Sequence, residues 1–234
     1  PAVESLFYSE GFLSTIGEIP MTKPEDLYEA ILTGNAKAAE EAAKAALDAN
    51  MDPNELLAKY MIPAMDEVGR RFECNEYFVP ELLIAARAMK KALEVLTPKL
   101  AASGAKAAGR VVIGTVQGDL HDIGKNLVAS MLEGGGFEVT DLGIDVPPER
   151  FVQAAKEKGE GTIVAMSALL TTTMTMMPKV IQALEEAGLR SKVKVIVGGA
   201  PVTQQYADQI GADGYSDNAS GAVALARRLV GLQA

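Results

Sequence analysis

The chain is short of several residue types, and each shortage excludes something. One cysteine in 234 residues excludes an internal disulfide and fits a reducing cytoplasm. Tryptophan is absent and aromatic residues make up 5%, against 48% hydrophobic, so the core is read as aliphatic and rich in alanine. No apolar run approaches the ~18 residues that span a bilayer, and no basic segment followed by an apolar one marks a secretion signal. A formal net charge of −9 leaves no basic stripe for nucleic acid. The expected partners are proteins and a bound small molecule, with neither nucleic acid nor membrane. Histidine occurs once, at His121.

What is present divides the chain in two. Residues 1–20 carry no lysine, no arginine and no sustained period, and are expected to be an extension foreign to the native chain. Met21-Thr22-Lys23-Pro24 reads as the natural start, with Thr22 capping a helix that opens on Pro24 and Glu25. From there to residue 100 the signals are helical. A first segment, 24–33, is closed by Gly34, and Asn35 caps a second, alanine-rich one over 36–49. Asp52-Pro53 opens a long third helix with Leu57, Met61, Met65, Val68 and Phe72 on one stripe, which Pro63 is expected to interrupt or kink. A fourth starts near Pro80 and runs through Leu83, Ala86, Met89, Leu93 and Leu96. Short connections make these a four-helix bundle over 21–100. Cys74 is read as a small buried hydrophobe, and Tyr77-Phe78-Val79 as an apolar cluster placed to cover something. Small residues and two glycines make 101–109 a linker and the domain boundary.

Residues 110–234 alternate strand and helix. Strands are expected at 110–116, 137–142, 162–165, 193–197 and 214–216, giving an α/β domain with a doubly wound, five-stranded parallel sheet in flavodoxin-like order 2-1-3-4-5. Met174, Met176 and Met177 are read as helix-packing residues. The loops after strands one, three, four and five then share one edge, where open α/β sheets bind ligands. The first is Gly118-Asp119-Leu120-His121-Asp122-Ile123-Gly124-Lys125-Asn126. Asp119 and Asp122 flank the histidine, and either could hold one ring nitrogen while the other faces a ligand. The loop lacks the Gly-x-Gly-x-x-Gly spacing, and Lys125 is followed by Asn126 rather than Ser or Thr, so a nucleotide loop is the weaker reading.

Asp119-x-His121-x-x-Gly124, then Ser167-x-Leu169, then Gly198-Gly199, each at an expected strand end, resembles the signature of the corrinoid (cobalamin)-binding methyltransferase proteins. The likeness is closest to the free-standing corrinoid subunits of methanol, methylamine and aromatic methyl-ether methyltransferase systems. It extends to the cobalamin-binding region of methionine synthase. The resemblance implies a cobalamin or related corrinoid whose lower base leaves cobalt and is replaced by His121, the metal ligand, within the loop Gly118, Leu120, Asp122, Ile123 and Gly124. Asp119 would fix the imidazole, with the Thr173 hydroxyl behind it. Ser167, Leu169, Thr171, Gly198, Gly199 and Ala219 would receive the nucleotide tail. The helical bundle would cap the upper face of the ring, with Phe78 above cobalt.

The implied function is a methyl carrier that is not catalytic alone. A substrate-specific methyltransferase subunit would deliver a methyl group to Co(I), and a second methyltransferase would pass it from methyl-Co(III) to tetrahydrofolate or a thiol. The chain lacks Cys-x-x-Cys, so a separate reductive activating protein is expected. Three other readings stay open: a cobalamin-dependent mutase subunit, which needs no helical cap; a cobalamin-sensing regulator, which would carry a basic DNA-binding element; and a receiver-like domain without corrinoid.

Overall fold

The computed structural model describes residues 23–102 and 107–232. The expected extension 1–20 and the expected cap Thr22 lie outside them, and Lys23 takes the cap position of the first helix, its backbone N–H donating to Asp26. Short-range chemistry sets the helical half. Helix α1 (Pro24–Leu32) is followed by Gly34 in the left-handed region, φ +73°. The Asn35 side chain accepts from the Ala38 amide and starts α2 (Ala36–Asp48); the Asp52 side chain accepts from the Asn54 amide and starts α3 (Pro53–Leu56).

The expected interruption at Pro63 takes the form of a change in winding. Pro63 lacks an N–H and its ring crowds the carbonyl four residues back. The chain absorbs this in a π-helical turn, Leu57–Met61, and continues as α4 (Ile62–Glu73). Helix α5 (Val79–Ala102) closes the bundle. Its buried stripe is Leu82, Ala85, Ala88, Met89, Ala92 and Leu96, whereas the expected Leu83 is exposed. The run Leu82-Leu83-Ile84 offers no polar residue to fix the phase of the stripe. Cys74 is also exposed, because it sits in the turn that ends α4 rather than on a packed face.

The second half follows the expected order. Strands β1 (Arg110–Thr115), β2 (Glu138–Asp141), β3 (Ile163–Ser167), β4 (Lys194–Gly198) and β5 (Gly214–Tyr215) form one parallel sheet, β2-β1-β3-β4-β5. Alternation along the strands sorts the core. Val111, Ile113, Ile163, Ala165 and Ile196 face α6 (Ile123–Gly134), α11 (Ala219–Leu229) and the helical half, in one continuous cluster. Val112, Val164, Met166, Val195 and Val197 face α7 (Pro148–Lys158) and α9 (Met176–Glu186) in another. Met174 and Met177 are buried in that second cluster, and Met176 packs against it. Thr171–Met174 form the short helix α8, and α10 (Gln204–Ile210) completes the second face.

Polar contacts tie the helical half to the sheet domain: Arg227 Nη1 to Asp66 at 2.8 Å, and the Ser220 hydroxyl to Glu73 at 3.0 Å. No helix among the described residues is long and apolar enough to cross a membrane.

Candidate functional site

Strand β1 ends in Thr115, and the chain leaves the sheet through Val116, bridged to Val146, into the His121 loop. The loop is fixed by its own backbone. The Asp119 amide donates to the Val116 carbonyl at 3.1 Å, and the Thr115 hydroxyl donates to the His121 carbonyl at 2.9 Å. Asp119 is fully buried beneath the loop and accepts from five directions. Its Oδ1 takes the His121 ring Nδ1 at 2.7 Å and the His121 amide at 3.1 Å. Its Oδ2 takes the Thr173 hydroxyl at 2.6 Å, the Leu169 amide at 2.8 Å and the Leu170 amide at 3.3 Å.

Burial is the largest influence on the Asp119 carboxyl and opposes its charge. The hydrogen bonds from Thr173, the Leu169 amide and His121 together outweigh it and hold the pKa well below the usual carboxylate range. An ionised Asp119 only accepts, so Nδ1 of His121 carries a proton, and in the neutral ring the lone pair is on Nε2. The His121 side chain is 51% exposed. Of the two flanking carboxylates the structure thus selects Asp119; the Asp122 side chain accepts from Asn126 in the first turn of α6.

His121 stands at the lip of a cavity of about 610 Å³ that runs along the α6–α11 side of the sheet. From the first loop the wall takes Leu120, His121, Asp122, Ile123 and Gly124; from the later strand ends, Ser167, Leu169, Gly198, Gly199 and Ala219. Gly118 and Asp119 lie off the wall and support the loop, and Thr173 reaches the site only through Asp119. Thr171 is exposed on α8 and does not line the cavity. Phe78 is 61% exposed and also off the wall; the aromatic residue that the helical half places there is Phe72. Phe72 lies on the stripe expected for the third helix, and the last turn of α4 carries it into the site.

The deeper wall is aliphatic, with Ile113, Leu127, Ala165, Ile196 and Leu225, while His121, Ser167, Ser216 and Asn218 gather polar atoms toward the mouth. That arrangement suits an extended organic group with an apolar end, and the lone pair of His121 suits a borderline transition metal. The residues fit a corrinoid. Gly199 explains how the slot is built. With φ +127° it passes so close to the neighbouring loop that a Cβ there would lie 1.9 Å from the Ala168 carbonyl oxygen.

Lys125 is a further wall residue without an expected role. Lys125 is 2% exposed, and its ammonium donates to Asp141 at 2.5 Å and to Asn126 at 2.6 Å. A lysine in the first turn of an amphipathic helix gives no sequence signal of burial.

The comparisons agree with this geometry. Residues 109–224 match a family described as "B12 binding domain", and residues 24–97 match a second family of the same description. The chain is 49% identical over 198 residues to the trimethylamine corrinoid protein of Methanosarcina barkeri, covering 84% of this chain and 91% of the relative. Among solved structures, a cobalamin-binding protein from Desulfitobacterium hafniense superposes with TM-score 0.72 at 36% identity, covering 89% of this chain and 99% of that one. The methanol:cobalamin methyltransferase complex MtaBC from Methanosarcina barkeri gives TM-score 0.78 at 31% identity, covering 88% of this chain and 79% of that one. A helical half and a five-stranded α/β half that both match B12-binding families define a corrinoid-binding fold. The chain belongs to the B12-binding corrinoid proteins, and a corrinoid is its ligand.

Proposed function

We propose that this protein carries a methyl group on the cobalt of its corrinoid, between a methyltransferase that loads it and a second that unloads it to tetrahydrofolate or a thiol. The observation that carries the reading is the line from buried Thr173 and Asp119 to the exposed ring of His121 on the cavity wall. When bound, the corrinoid supplies a cobalt that takes up and releases a methyl group, and the protein governs its coordination. His121 Nε2 would be the metal ligand. Asp119 holds the proton on Nδ1 and stabilises positive charge on the ring, and Thr173 holds Asp119.

The division that goes with this reading is a helical cap over 21–100, a linker over 101–109 and a corrinoid-binding domain over 110–234. Relatives named for trimethylamine make a methylated amine the donor class to test first. The likeness to a methyltransferase complex supports a partner subunit, and a separate reductive activator in a reducing cytoplasm completes the scheme. The cap argues against the mutase reading, since the corrinoid relatives pair with this chain over both halves.

The test is electron paramagnetic resonance of the Co(II) protein after loading with hydroxocobalamin. Coupling to a nitrogen that disappears in His121→Gly supports the assignment. Coupling to the cofactor's own benzimidazole in the wild type would overturn it.

A further inference from the structure

The His121 loop is held from two sides. Toward β3, the Leu169 and Leu170 amides and Thr173 grip the Asp119 side chain. On the opposite side lies the segment after β2, where one exposed residue grips the backbone of the same stretch at two points. The Asp145 carboxylate accepts from the Gly118 amide at 2.7 Å, and the Asp145 amide donates to the Asp119 carbonyl at 3.0 Å. Asp145 achieves this at φ +53°, a region that L-residues rarely enter and that glycine would occupy freely.

We propose that Asp145 is a positioning residue for the metal ligand: its two-point clamp on Gly118 and Asp119 sets the carboxylate that fixes the His121 tautomer. With the Asp119 amide bonded to Val116 and its carbonyl to Asp145, both backbone polar groups of Asp119 are held, and Gly118 before it is held as well. A carboxylate on a backbone pinned in this way keeps its place beside the ring, and the ring then presents one nitrogen outward. Glycine at position 145 would cost less strain; the aspartate is explained by the bond its side chain makes. Its neighbours act in concert, because the Val146 amide donates to the Thr115 carbonyl and Thr115 in turn bonds His121. Asp145 touches neither the cavity wall nor the ring, so its effect runs through Asp119.

The inference rests on the corrinoid reading of His121 only for its purpose; its test does not need the cofactor. Because the chain has one histidine, nitrogen NMR of the histidine-labelled, corrinoid-free protein reads a single imidazole. Well above the ordinary imidazole pKa the wild type should show the Nδ1–H tautomer alone. Asp145→Asn keeps both the acceptor and the tolerance for positive φ, and should keep that signature. Asp145→Gly keeps the backbone and drops the acceptor; it should lose the single-tautomer pattern and show the Nε2–H form as well. An unchanged tautomer in Asp145→Gly would overturn the proposal. Should that variant fail to fold, hydrogen exchange of the Gly118 amide in the wild type decides: protection is expected, and exchange at the rate of an open loop overturns it. A failure of the Co(II) resonance test with the tautomer pattern intact would sink the cobalt assignment and leave the clamp standing.

Discussion

Replacing Asp119 by Asn tests the chain of groups behind His121 most directly. The carboxylate accepts five hydrogen bonds and presents two oxygens to donors only. An amide has one oxygen. Turned one way, its NH2 faces the two amides and Thr173; turned the other, it faces His121 and abandons Nδ1–H. Either orientation leaves buried donors without an acceptor, at about 1–3 kcal/mol, and both remove the negative charge behind the ring. Loss of such a partner weakens metal–histidine affinity by roughly ten- to a hundredfold, or about 1.4–2.8 kcal/mol. Co(I) needs no imidazole, so the loss falls on Co(II), and reduction becomes easier. The Co(II)/Co(I) midpoint potential should rise by roughly 60–120 mV, at about 59 mV per tenfold change for one electron. Thr173→Ala removes only the 2.6 Å bond and leaves both amides on Oδ2, so its rise should be smaller. Spectroelectrochemical titration of the three proteins reads this ordering. Unchanged potentials in both variants would falsify the relay.

Much of this architecture was legible because its signals are local. Gly34, Asn35 and Asp52 mark helix ends through bonds within three residues, and all three do so in the structure. Short continuous apolar runs such as Val111-Val112-Ile113 marked strands covered on both faces, and strand order followed from the loops that had to meet. Failures occurred where a choice depends on contacts far along the chain. Leu82, Leu83 and Ile84 are equally apolar, so only the packing of α1 and α2 against α5 decides which is buried. Asp119 and Asp122 flank His121 alike in sequence; the resemblance singles out Asp119, and the structure holds it there through Leu169, Leu170 and Thr173, some fifty residues on. Lys125 and Asp145 gave no signal because Asp141 and Gly118, which they bond, lie on other elements. Phe72 and Phe78 differ by where α4 ends, and the cavity takes the one still on the helix.

The remaining perturbations separate binding, charge and shape. His121→Gly should retain measurable corrinoid, because the aliphatic wall is untouched, while losing the protein nitrogen signal; an unfolded apoprotein would make the histidine structural. Glu67 is held to a pKa of about 2 by hydrogen bonds from Arg70 first and Arg71 second. A depressed carboxyl contributes stability above its ordinary pKa of 4.5 that is lost as pH falls toward about 2. With Arg70 half exposed, solvent screens the pair, and melting curves of Glu67→Gln should show a slightly weaker dependence on acid than the wild type. Gly199→Ala probes the slot itself. The added methyl would meet the Ala168 carbonyl oxygen at 1.9 Å and its carbon at 2.9 Å, and φ is +127°. Both obstacles are backbone, so no side-chain rotation relieves them. Relief requires the end of β4 to part from the loop after β3, which Ala168 joins to Gly198 by a 3.3 Å bond. Strain of about 1–3 kcal/mol adds to overpacking of similar size, about 2–6 kcal/mol together. For a chain of this length that lowers the melting temperature by roughly 4–24 °C. The same parting would draw the Leu169 amide from Asp119, so the His121 tautomer should loosen along with the fold. A Gly199→Ala protein that melts with the wild type and keeps a single tautomer would show that the close approach at Ala168 does not hold in solution.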